Sequence, residues 1–224
     1  MFSFLNRLLR WLLALVIVLP LILTLIYRYL PVPVTPLMVI RLFEGESVNK
    51  HWQPAHRIAT SLKNSVIASE DNKFCQHSGF DWAAFKDVAS EFKHDGKLRG
   101  GSTISMQTAK NLYLWPSRSL VRKGLEAVYT PMLELILPKD RIMTLYLNIA
   151  EFGPGIYGAE AAAQAYFNTS AAKLSPHQSA LLAAVLPNPR QYNAGRPSAY
   201  VQGRAATIRV RVNQLGPLLK CVSP

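Results

Sequence analysis

The sequence predicts a mainly α domain carried behind one N-terminal transmembrane helix. Two observations lead there: a long uncharged apolar run near the start, and helical spacing of apolar residues almost everywhere after residue 45. From Trp11 to Tyr27 there are 17 residues without a charge, which as a helix cover roughly 26 Å, close to the ~30 Å hydrocarbon thickness of a bilayer. Arg7 and Arg10 precede the run and no acid occurs before Glu44, so the short N-terminus is expected on the cytoplasmic side. Pro20 within the run is tolerated in a membrane helix. A cleaved signal peptide is the competing reading, but the run is not succeeded by a small-x-small site. Its C-terminal neighbour is instead a proline-rich stretch, Leu30 to Pro36, that suits a stiff linker. The expected organisation is an anchor over 1–30, a linker and entry segment over 31–44, and one domain over 45–224.

Along the chain, residues 37–44 read as a short strand or extended entry. Ile58, Leu62, Val66 and Ile67 recur at helical spacing and run into Glu70-Asp71. A second amphipathic helix is expected from Trp82 to Phe92, ending near Gly96. Ser102 and Thr103 are N-cap candidates after a glycine break, with Ile104, Thr108 and Leu112 on one face. Leu120–Leu137 reads as a long helix containing Pro131. Further helices are expected over Asp140–Ile149 and Gly158–Phe167, with a glycine-rich loop between them. Ser175-Pro176-His177-Gln178 is a capping box opening the Ala180–Leu186 helix. A last helix is expected from Ser198 to Leu215, stopped by Gly216.

Composition narrows the function. Of 224 residues, 50% are apolar and 17% charged, which excludes a disordered chain. Lys and Arg number 25 against 13 Asp and Glu, a net charge of +12. Without Arg7, Arg10 and Arg28 the rest still carries +9, so the globular part calls for an anionic partner. An address outside the cytoplasm, with no RNA-binding or zinc-finger signature, excludes nucleic acid and favours anionic lipid or pyrophosphate. Cys75 and Cys221 lack metal-site spacing, and whether they pair is open.

Three polar clusters could carry chemistry. The first, residues 70–79, sets Glu70 and Asp71 at a helix C-terminus, where carboxylates oppose the dipole. In the second, Thr103, Gln107, Lys110 and Asn111 share one helical face after a glycine turn, a plausible anion site. In the third, Arg118 precedes Arg122-Lys123 and Glu126, which meet on one side of a helix. Each alone has a plain structural reading as a solvated face or a surface ion pair. Glu70 has Val66 and Ile67 one turn before it, whereas Glu126 has two cations there. Glu70 is therefore the carboxylate expected to titrate in the working range.

In order along the chain stand Glu-Asp-x-x-Phe-x-x-His-x-Gly (70–79), Gly-Gly-Ser-Thr-Ile-x-x-Gln-x-x-Lys-Asn (100–111) and Arg-Lys-x-x-Glu (122–126). Lys-x-x-Ile-x-x-x-Tyr-Leu-Asn (139–148) and Gly-x-x-Gly-x-x-Ala-Ala-x-x-x-Tyr-Phe (155–167) complete the set. The set resembles the family 51 glycosyltransferases, the peptidoglycan transglycosylases, over roughly residues 45–215. It departs from the family in having Met106 before Gln107, where many members have two glutamines. The resemblance implies a lysozyme-like, mainly α domain with a head and a membrane-facing jaw, of the monofunctional biosynthetic type. It implies polymerisation of lipid II, the growing strand on undecaprenyl pyrophosphate being transferred with inversion to the 4-hydroxyl of N-acetylglucosamine. By motif position Glu70 corresponds to the general base and Glu126 to the second catalytic carboxylate. Asp71, Phe74, His77, Ser102, Thr103, Gln107, Lys110, Asn111, Arg118, Arg122 and Lys123 correspond to substrate-binding positions. No cofactor is obligatory; a divalent cation, Mg or Mn, is compatible with Glu126. The implied setting is the inner membrane, single-pass with the domain on the periplasmic side, in the company of cell-wall synthesis and division proteins. The rivals are a lytic enzyme of the same shape, for which the cations have no purpose, and a silent membrane-anchored scaffold.

Overall fold

The computed structural model describes residues 2–82, 101–117 and 119–222; within these, the side chains of 2, 3, 5, 8, 9, 12, 13 and 217 are excluded. Beyond Trp82, the expected Trp82–Phe92 helix lies outside the described residues, as do Gly100 and the candidate site residue Arg118. Among the described residues are nine α-helices and a three-stranded sheet. The mainly α expectation holds.

The N-terminal run forms α1 (Phe2–Tyr27), with Pro20 inside it. Among the described residues no helix is long and apolar enough to cross a membrane, so a spanning helix is not found within that set. The C-terminal part of α1 lies on the domain. Thr24 Oγ1 and the Tyr113 hydroxyl are 2.7 Å apart, and the Tyr129 hydroxyl donates to the Val16 carbonyl at 2.8 Å.

The entry segment is helical rather than extended: α2 spans Pro36–Phe43. Thr35 is its N-cap, accepting from the Met38 N–H, and Pro36 occupies N1. That Thr-Pro start outweighs the β-branched Val39 and Ile40 that suggest a strand. Met38 is fully buried and fixes α2 to the core.

Helix α3 (Thr60–Glu70) ends at the first candidate carboxylate. It packs with α8 (Pro176–Val185) and α9 (Ala199–Leu215) in a three-helix group. The expected capping box of α8 is present, Ser175 and Gln178 exchanging both bonds. Helix α4 (Ile104–Tyr113), capped by Thr103, lies against α5 (Leu120–Ile136) and α6 (Lys139–Ile149). The largest buried side chains, among them Phe74, Tyr146, Phe152 and Tyr157, fill the core.

The expected glycine-rich loop is in fact a sheet. Strand β2 (Glu151–Gly153) pairs antiparallel with β3 (Ile156–Tyr157), which pairs in parallel with β1 (Asn49–Lys50). Gly155, at φ 72°, makes the turn. Gly158, at φ 84°, leads into α7 (Ala159–Phe167), and a Cβ there would lie 2.8 Å from the Asn148 carbonyl oxygen. Only glycine fits that position without displacing α6.

Cys75 and Cys221 form a disulfide with Cα atoms 5.6 Å apart. It ties the loop after Glu70 to the 3-10 segment Gly216–Val222 beyond α9. The pairing that spacing leaves open is thereby resolved.

Candidate active site

Helices α3, α4, α6 and α9 converge on Glu70. The carboxylate is nearly enclosed, with 11% of its side chain exposed. Gln107 on α4 donates through Nε2 to Glu70 Oε2 at 3.0 Å, and the Tyr146 hydroxyl on α6 donates to Gln107 Oε1 at 3.1 Å. Ser69 Oγ lies 3.0 Å from Glu70 Oε1, and the Arg204 guanidinium, from α9, stands 3.8 Å from the same oxygen. As expected, Glu70 has no cation one turn before it on its own helix; the cation that approaches it, Arg204, comes from α9.

Asp71, Phe74 and His77, expected at substrate-binding positions, are placed next to Glu70 with partners of their own. Phe74 is fully buried, and the Lys139 ammonium sits 4.5 Å from its ring centre. Asp71 is buried and pairs with His77 Nε2 at 2.9 Å, while accepting from the Ile104 N–H at 3.0 Å. This carboxylate thereby holds the N-terminus of α4, where a negative charge is stabilising. Thr103, too, is buried: it caps α4 and donates to the Gly79 carbonyl at 2.6 Å.

Glu126 on α5 is 2% exposed. Arg122 Nη1 donates to one oxygen at 2.6 Å and Lys123 Nζ to the other at 2.5 Å. Lys123 also donates to Ser102 Oγ at 3.1 Å, and Arg122 Nε to the Ser117 carbonyl at 2.6 Å. Both oxygens of this buried carboxylate thus meet cations, the pairing that a buried charge needs. With both oxygens engaged it is poorly placed to ligate a further cation. The described residues contain no group of three or more His, Cys, Asp or Glu able to hold a metal ion.

A cavity of about 500 Å³ opens beside hydrogen-bond partners of both carboxylates, Gln107 for Glu70 and Arg122 for Glu126. Gln107, Lys110 and Asn111 line it from α4, Arg122 from α5, Tyr146 from α6, and Trp115 from the connecting loop. Lys110 is half-buried, and burial pushes its ammonium below the usual lysine range, opposed by the nearby negative charge of Glu126. A wall of fixed cations with polar side chains beside it is suited to a phosphate-bearing ligand. Glu70 reaches this cavity through Gln107. Sequence reasoning misses Arg204, Ser69, Tyr146 and Trp115 as site residues. Arg204 carries no local signal, since only the packing of α9 on α3 brings it to Glu70.

The architecture and the paired-carboxylate site define a class that the comparisons identify: the chain belongs to the transglycosylase family, whose model matches residues 38–213. It is 51% identical over 218 residues to the biosynthetic peptidoglycan transglycosylase of Stutzerimonas stutzeri, covering 95% of this chain and 88% of the relative. The protein of the same description from Caulobacter vibrioides is 52% identical over 209 residues, 92% of this chain and 91% of its own length. That from Xanthomonas axonopodis pv. citri is 48% identical over 221 residues, 94% of this chain and 90% of its own length.

Proposed function

We propose a division of labour between two carboxylates by which this chain, a peptidoglycan transglycosylase that polymerises glycan strands, performs its reaction. The substrates are lipid II and the growing strand on undecaprenyl pyrophosphate. Glu70 takes the proton from the 4-hydroxyl of the acceptor N-acetylglucosamine. That oxygen attacks C1 of the donor N-acetylmuramic acid, the C1–O bond to pyrophosphate breaks, and configuration inverts. Lys110, Arg122 and Lys123 stabilise the charge that develops on the departing pyrophosphate, and Glu126 holds Arg122 and Lys123 in place. Gln107, Asn111 and Ser102 are polar groups for the donor side. Arg118 belongs to the same basic segment by sequence.

The observation that carries this reading is the contrast between the two carboxylates. Glu126 is locked between cations at 2.6 and 2.5 Å, while Glu70 has one cation at 3.8 Å and neutral donors. Two carboxyl groups in such different surroundings suit different roles. A lytic enzyme needs the first carboxylate but has no use for a cation cluster.

The reaction is set outside the cytoplasm, at the membrane that holds the lipid substrate. Val121, Val128 and Leu135 on α5 are exposed at seven-residue spacing, and Phe43 ends α2 89% exposed. Such an apolar stripe on a basic domain suits a lipid surface, with α1 as the anchor. Co-sedimentation with anionic vesicles at low and high salt checks this; a chain that stays in solution at low salt counts against it.

The reaction itself is tested on purified lipid II, with and without a chelator. Release of undecaprenyl pyrophosphate with formation of long strands is expected in both arms, the chelator changing the rate less than about twofold. Absence of pyrophosphate release in both arms counts against transfer, and chelator-dependent activity against a metal-free Glu126.

Lys110 adds a pH dependence. Burial favours its neutral form, so the unfolded chain binds the proton more tightly, and the cost of burying the charge disappears as pH rises past the lowered value. The anion site loses one charge over the same range. An alkaline fall in kcat/KM is expected well below the pH at which a free lysine titrates, and Lys110→Arg moves that fall to higher pH. An unmoved alkaline limb assigns it to another group.

A further inference from the structure

We propose that Arg204 is a positioning residue for the general base, holding the Glu70 carboxylate through the Ser69 hydroxyl. The inference rests on the role given to Glu70 above. Arg204 Nη2 donates to Ser69 Oγ at 3.1 Å and lies 3.8 Å from Glu70 Oε1. Ser69 Oγ is 3.0 Å from that same oxygen and 3.3 Å from the Ala183 carbonyl on α8. A hydroxyl has one proton to give. With Arg204 donating to Ser69, the serine proton is free for Glu70 or Ala183, and Glu70 Oε1 is the nearer acceptor.

The arrangement fixes both ends of the carboxylate. Oε2 is held from α4 by Gln107, whose own orientation is set by Tyr146. Oε1 is held from α9 by the Arg204–Ser69 pair. The guanidinium has a second face: Arg204 lines a separate cavity of about 400 Å³ with Tyr200, Thr207 and Arg211, and its side chain is 30% exposed. Its Nε is buried without a partner among the described residues. The arginine is therefore neither a plain surface ion pair nor a saturated structural anchor. It is a partly exposed cation that lines a cavity other than the main one.

Among the described residues, Lys110 on α4 and Tyr146 on α6 feel the charge of Glu70, while the adjoining Asp71 is committed to His77. Arg204 is the one cation among the described residues that forms an ion pair with Glu70. Its removal should be felt in the protonation of the base more than in the binding of substrate.

The experiment measures polymerisation against pH for the wild type, Arg204→Met, Arg204→Lys and Ser69→Ala. Arg204→Met is expected to lower kcat about tenfold with KM within about twofold, and to move the acidic limb to higher pH. Arg204→Lys returns the limb toward its wild-type position while recovering only part of kcat, because a lysine lacks the fork that reaches both Ser69 and Glu70. Ser69→Ala lowers kcat several-fold. An acidic limb that stays in place in Arg204→Met, or a loss confined to KM, overturns the proposal. If Arg204→Met does not fold, an unchanged kcat in Ser69→Ala overturns it, and the expected fall with KM held supports it. Titration of the Glu70 carboxyl carbon by NMR, wild type against Arg204→Lys and Arg204→Met, separates this inference from the functional reading. A midpoint that responds to Arg204 in a chain that makes no polymer sinks the reading and keeps the contact. A midpoint indifferent to both variants sinks the contact.

Discussion

Glu70→Gln is expected to reduce polymerisation by about 10²–10⁴, the usual cost of losing a proton acceptor, while leaving the fold intact. The substitution is nearly isosteric, and the amide oxygen can still accept from Gln107 or Ser69. What disappears is the capacity to take a proton at the end of the Tyr146–Gln107–Glu70 chain of hydrogen bonds. The measurement is single-turnover transfer on lipid II alongside lipid II binding. Binding within a few-fold of wild type, with transfer lost, is the expected pair of results. A folded variant that retains transfer within a few-fold removes Glu70 from the role of base.

Glu126→Gln is expected to act on both stability and rate. Breaking a buried ion pair costs about 3–5 kcal/mol when the partner charge stays buried. Lys123 is 39% exposed at its side chain and can swing toward solvent, whereas Arg122 is 12% exposed and tied to the Ser117 carbonyl. The loss should therefore fall in the lower part of that range and show as a depressed thermal midpoint. The rate should fall about 10²-fold, since two cations of the pyrophosphate site lose the group that orients them. The acidic limb of the rate–pH profile should remain, because the titrating base is elsewhere. If Glu126→Gln removes that limb while measurable activity persists, the two carboxylates exchange roles.

Much of this site is legible in the sequence alone. Helical spacing places Gln107, Lys110 and Asn111 on one face, and Arg122, Lys123 and Glu126 on another, because both sets lie within single helices. Spacing within a helix fixes neighbours at one turn. It is silent about neighbours from other helices, which is why it gives no hint of Arg204 and leaves Glu70 without a cation. Spacing also says nothing about which polar residues face inward. Asp71 pairs with His77 and accepts from the start of α4, and Thr103 caps that helix and donates to Gly79, none of which their spacing announces. In the fold, the capping box and the prolines that follow, Pro187 and Pro189, locate α8 well, and Ser198 with Gly216 brackets α9. The entry helix α2 reads as a strand because a segment of eight residues with Val39 and Ile40 at its centre carries little periodicity, and its helical signal is the Thr35-Pro36 start.

The disulfide has a consequence for the order of assembly. Its two cysteines are separated by 146 positions, and between them lie Gln107, Lys110, Glu126, Tyr146 and Arg204. A chain delivered across a membrane from its N-terminal end presents Cys75 early and Cys221 almost last. The first thiol must wait, unpaired and open to exchange with other thiols, until nearly the whole domain has emerged. Covalent closure is then a late event that seals helices already packed, rather than a seed around which they gather. It also means that every helix bearing a proposed catalytic group after Cys75 is enclosed in one covalent ring, with Glu70 just outside it and five residues from its clasp.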